Sequence, residues 1–106
     1  MYNFIFIRGA QGSGKTTIAR LLKEKLGAPC IDFDWIRDYH LNKDWTDASD
    51  AEEEMSAENL AFLLKNYEKH GYKNVIVGGL SEKILPKIKE YKYLIIILYL
   101  HDDEVL

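Results

Sequence analysis

The chain has 106 residues, 47% of them hydrophobic and 29% charged, with 2 Pro and 7 Gly, which excludes a disordered, collagenous or disulfide-rich protein and leaves room for one modest core. Net charge is 14 − 17 = −3, and the 11 Lys and 3 Arg form no clustered run, which argues against a duplex nucleic-acid surface. Cys30, the single cysteine, allows no intramolecular disulfide and fits a reducing cytoplasm, while the longest apolar run, 94–100, is far short of the roughly 20 residues that span a bilayer.

Taken in order, Tyr2 to Arg8 is aromatic and β-branched and ends at Gly9, the pattern of a buried strand entering a turn. A glycine-rich stretch follows, and then apolar residues at 18, 21, 22 and 26 predict a helix that Gly27 stops in a left-handed cap. Residues 29–33 read as a second strand, and Asp34 to His40 begins another helix. Positions 41–50 are polar and read as a loop, closed by a capping box over Ser49-Asp50-Ala51-Glu52. The helix that starts there carries 57, 60, 61, 64 and 67 on one face and stops at Gly71. Asn74 to Gly78 is a third strand, Ser81 to Tyr91 a further helical segment with Pro86 in its first turn or at a kink, and Lys92 to Leu100 a fourth strand. This alternation predicts an α/β fold, a parallel sheet covered by helices on both faces. The terminal His101-Asp102-Asp103-Glu104 reads as the first turn of another helix.

Gly9 to Thr16 matches G-x-x-x-x-G-K-[ST] between a strand and a helix, where the phosphate-binding mechanism requires it. The glycines let several N–H groups turn inward toward an anion, and the helix N-terminus adds its positive end. The candidate phosphate site therefore comprises Gly9, Ala10, Gln11, Gly12, Ser13, Gly14, Lys15, Thr16 and Thr17. Within it Lys15 reaches the outer phosphates and the Thr16 hydroxyl holds Mg²⁺.

At these residues the chain resembles the P-loop NTPase superfamily, and its compact element order resembles the small P-loop kinases of the shikimate-kinase, polynucleotide-kinase and zeta-toxin types. The resemblance implies a three-layer fold with strand order 2-3-1-4, ATP and Mg²⁺ as cofactors, and a nucleotide or small-molecule acceptor. It also implies a lid and a fifth strand after the fourth. Residues 1–106 read as one nucleotide-binding domain without those parts, its exposed fourth-strand edge predicting self-association.

Ile31-Asp32-Phe33-Asp34-Trp35-Ile36-Arg37 places two carboxylates at the carboxyl end of the second strand, where open α/β sheets bind ligands. Asp34 is a candidate base for a hydroxyl acceptor and Arg37 the cation beside it, while Asp32 can share the metal with Thr16. The competing reading makes Asp34 the N-cap of the next helix. The resemblance adds Asp32, Asp34 and Arg37 as acceptor residues. Gly78 and Gly79, after the third strand, resemble the glycine-bearing acceptor loop of shikimate-kinase-like enzymes, or form only a turn. Trp35, Tyr39 and Trp45 either wall the acceptor pocket or pack under the 41–50 loop. Asn42-Lys43-Asp44 lacks the intervening residue of a guanine-specificity motif, so a GTPase is rejected.

The reading is a phosphotransferase with Lys15, Asp34 and Arg37 as its catalytic residues. Two alternatives are kept: a nucleotide-binding module without turnover, and an ATPase that uses the acids at 102–104.

Overall fold

A computed structural model describes residues 1–10, 13–41 and 48–99. The expectations placed on Gln11, Gly12, Asn42 to Trp45 and the acids at 102–104 lie outside the described residues. Four strands, β1 (Phe4–Gly9), β2 (Cys30–Asp32), β3 (Val75–Gly78) and β4 (Tyr93–Leu98), form one parallel sheet in the order β2-β3-β1-β4. The order is the one the resemblance implies.

Alternation along the strands builds the layers. Phe4 and Phe6 of β1 and Val75 and Val77 of β3 face one side, where they meet Leu60 and Leu64 of α3 (Asp50–Lys69) and Ile84 and Ile88 of a 3-10 helix (Glu82–Ile88). Ile7 and Ile76 face the other side and pack on Ala19, Ile18 and Leu22 of α1 (Lys15–Leu26). Side chains two apart on a strand share a face, so the two clusters lie on opposite faces of the sheet. The short α2 (Phe33–Asp38) tucks Phe33 and Ile36 into the first cluster.

Three details depart from the sequence reading. The stripe at 18, 21, 22 and 26 is only half used: Leu21 and Leu26 stay 49% and 43% exposed. The small Ala19 sits closest to the sheet and turns the 18/19/22 arc inward. Asp32, rather than Asp34, caps α2: its Oδ1 accepts from the Asp34 amide at 2.9 Å, so β2 ends one residue early and Phe33 is already helical. The segment around Pro86 is 3-10, not α, since proline has no N–H to continue an α ladder, and the Ser81 side chain caps it by accepting from the Lys83 amide. Elsewhere local signals and structure agree. Gly27 adopts φ 59 at the end of α1, and Ser49 accepts from the Glu52 amide at the start of α3.

Candidate functional site

The phosphate loop leaves β1 and enters α1 at the carboxyl end of the sheet. Gly9 has no room for a side chain. A Cβ there would lie 2.5 Å from Ser13 Oγ and 3.2 Å from the Leu98 carbonyl oxygen, so the loop closes against the end of β4. Gly14, by contrast, is needed for its φ of 90, with open space around it. It caps α1 without a side-chain hydrogen bond, and the first turn of α1 has no acidic residue. The other described helices are each capped by a side chain (Asp32, Ser49 or Ser81) and carry an acid in the first turn. The N–H groups and positive dipole end of α1 are thus left for an external anion. Ser13 Oγ is buried and has no hydrogen-bond partner among the described residues.

A cleft of about 970 Å³ opens beside this loop. It brings together Lys15, Thr16 and Thr17 of α1 with Asp32 and Asp34 of the β2–α2 junction and Gly78 of β3. Gly9 lies instead in a second cleft, of about 560 Å³, with Arg8, Leu98 and Tyr99, and Ala10 borders both. Gly79 does not line the first cleft. Its φ is 106, and its amide donates to the Ile7 carbonyl at 2.8 Å as a further rung of the β1–β3 ladder.

Arg37 is held from several directions. Its Nη1 donates to Asp34 Oδ1 at 3.2 Å, its Nε and Nη2 donate to Glu53 Oε2 at 3.3 and 3.0 Å, and its guanidinium lies 4.5 Å from the centre of the Phe33 ring. Planar guanidinium geometry suits such a fixed fork. One turn further on, His40 Nε2 lies 3.3 Å from Ser56 Oγ, from the Glu52 carbonyl oxygen and from the Glu52 carboxylate, while Nδ1 is buried without a partner. Arg37 and His40 together clasp α2 to α3.

Sequence reasoning missed Glu53, which lies 16 residues from Arg37 and gives no local signal. It also missed Arg20, Lys23 and Cys30, all of which line the cleft. A signal for the first two existed, since positions 16, 20 and 23 share one face of a helix. Burial pushes the Cys30 thiol up, Lys23 pulls it down and Asp32 adds to the rise. Of the candidate aromatic wall, Trp35 lines the cleft and is 67% exposed.

The model of the family described as "AAA domain" matches residues 5–106. The chain belongs to this family. Among curated proteins the domain is 37% identical over 82 residues to one from Pyrococcus abyssi named "Putative adenylate kinase", covering 77% of this chain and 43% of that one. The AAA domain described here therefore spans less than half the length of that relative. Among solved structures it superposes on the Mycobacterium tuberculosis APS kinase with TM-score 0.62 at 18% identity, over 91% of this chain and 74% of that one. Shikimate kinase from Acinetobacter baumannii, in complex with shikimate, gives TM-score 0.55 at 19% identity over 92% and 56%. This AAA domain has the P-loop kinase fold. No helix among its described residues is long and apolar enough to cross a membrane.

Proposed function

We propose that this chain is the nucleotide-binding part of an ATP- and Mg²⁺-dependent phosphotransferase acting on a hydroxyl of a small molecule or nucleotide. One observation carries the reading: α1, alone among the described helices in lacking both a side-chain cap and a first-turn acid, opens into the cleft that two carboxylates border. The uncapped N–H groups of its first turn bind phosphate oxygens, and Lys15 neutralises their charge. The donor set also fits a hard cation, since Thr16 offers a hydroxyl and Asp32 a carboxylate at the same cleft. Mg²⁺, when bound there, offsets charge on the transferring group.

Asp34 takes the acceptor's hydroxyl proton as the acceptor oxygen bonds the terminal phosphorus of ATP, the bond from that phosphorus to the bridging oxygen breaks, and ADP leaves. Arg37 does not line the cleft, contrary to the expectation that it meets the acceptor; braced by Glu53, it acts from behind by fixing the Asp34 carboxylate. Gly78 offers bare backbone at the cleft floor. The names of the similar proteins, all kinases, support phosphoryl transfer.

The thermal midpoint with and without Mg-ATP tests this reading. A ligand at a hundred times its Kd stabilises by about 2.7 kcal/mol, about 10–20 °C for a domain of this size. The parent should show the shift, Lys15→Ala should lose it, and Asp34→Asn should keep it while losing transfer to any alcohol that the parent phosphorylates. An equal shift in Lys15→Ala removes the phosphate loop from nucleotide binding. A parent that binds but transfers to no alcohol is a nucleotide-binding module.

A further inference from the structure

The cleft extends beyond what the donor's phosphates need. Thr16, Arg20 and Lys23 stand at i, i+4 and i+7 on α1 and all line it. Arg20 and Lys23 thus lie about 6 Å and about 10 Å along the helix axis from Thr16. Both are exposed.

The opposite wall is acidic, and one oxygen of each of its two acids is engaged. Asp32 Oδ1 accepts from the Asp34 amide, and Asp34 Oδ1 accepts from Arg37. Among the described residues no carboxylate forms an ion pair with Arg20 or Lys23. Lys23 lines the cleft beside Cys30, whose thiol its charge pulls down against the larger effect of burial. Two cations facing a concave, partly desolvated wall attract an anion more strongly than the same charges on an open surface.

The geometry points to a second anion site at Arg20 and Lys23, and hence to an acceptor that is a ring alcohol already bearing a phosphate group. This rests on the phosphotransferase reading. Asp34 receives the hydroxyl, Arg20 and Lys23 receive the acceptor's own phosphate, and the exposed Trp35 indole offers a flat face to the ring between them. Spacing of one to two helical turns from Thr16 keeps this pair of cations apart from the donor's phosphates. An uncharged polyol leaves both cations without a partner and is the weaker ligand.

Inorganic phosphate is the probe, titrated calorimetrically into protein saturated with the magnesium complex of a non-hydrolysable ATP analogue, which fills the phosphate loop. The parent should bind one further phosphate, and Arg20→Gln/Lys23→Gln should bind it at least tenfold more weakly, with the thermal response to the analogue unchanged. Ribose 5-phosphate should likewise bind the parent at least tenfold more tightly than ribose, and the double variant should lose that preference. No second phosphate in the parent, an unchanged second phosphate in the double variant, or equal binding of the two sugars overturns the proposal. If the analogue itself fails to bind, the phosphotransferase reading falls. The same phosphate titration in a Lys15→Ala background, where the phosphate loop no longer competes, then decides the second site alone.

Discussion

Replacing Thr17 by Glu should make this protein more stable and less able to bind nucleotide. Thr17 is the third helical residue of α1, exposed and in the cleft, and the first turn there carries neither an acid nor a side-chain cap. A carboxylate in the first turn interacts favourably with the helix dipole by about 0.5–1 kcal/mol, and Arg20 three residues on adds a helical ion pair of a few tenths. At about 4–8 °C per kcal/mol for a domain of this size, the two contributions together should raise the nucleotide-free midpoint by about 3–10 °C. The same charge occupies the field that phosphate oxygens use, so the shift caused by Mg-ATP should fall toward zero. Differential scanning fluorimetry reads both quantities in one titration, and Thr17→Gln controls for helix propensity, with little effect on either. A Thr17→Glu protein that is no more stable than the parent, or that keeps the full Mg-ATP shift, would refute the claim that α1 leaves its N-terminus open for an anion.

Three further outcomes follow from contacts in the fold. Glu53→Ala removes the acceptor of the Arg37 Nε and Nη2 bonds and should cost about 1–3 kcal/mol in urea unfolding; a loss below about 0.5 kcal/mol means that the Arg37 side of the α2–α3 clasp contributes nothing. Leu64 is fully buried in the larger core cluster, so Leu64→Ala should cost about 2–5 kcal/mol, and a neutral result would dissociate α3 from the sheet. Hydrogen bonds from Lys73 and Asn3 hold the Glu68 carboxyl below its ordinary pKa. A depressed carboxylate contributes stability above its unfolded pKa and loses it as pH falls through the folded one. The gap between the parent and Glu68→Gln should therefore be widest near neutral pH and close below about pH 4, and a gap that widens in acid contradicts the assignment.

What could be read from the sequence was whatever is decided locally. The phosphate loop, the Gly27 cap and the Ser49 cap each depend on a few adjacent residues, and strand order followed from the family resemblance. Asp32 was harder, because both aspartates are good caps and only the exit angle of β2 selects between them. Pro86 signalled a disturbance but not its form. Glu53 gave no signal at all: its role exists only because packing of Ile36 and Leu60 in one cluster brings α2 against α3. The cations at 20 and 23 were visible as helix spacing, but their meaning depends on the cleft wall opposite, which only the tertiary structure supplies.

The sheet also fixes the order in which the molecule can be made. Phe4 pairs with Val75 on one side and with Tyr93 on the other, so the central strand is synthesised first and acquires its neighbours last. Such long loop closures slow folding, and they leave Phe4 to Ile7 on the growing chain as an unpaired apolar segment. Gly9, where the glycine-rich loop begins, pairs with Leu98, and during translation it gains that neighbour only when β4 emerges. The strand made first is thus among the last to be paired on both sides, and a ribosome-bound nascent chain halted before β4 should need a chaperone.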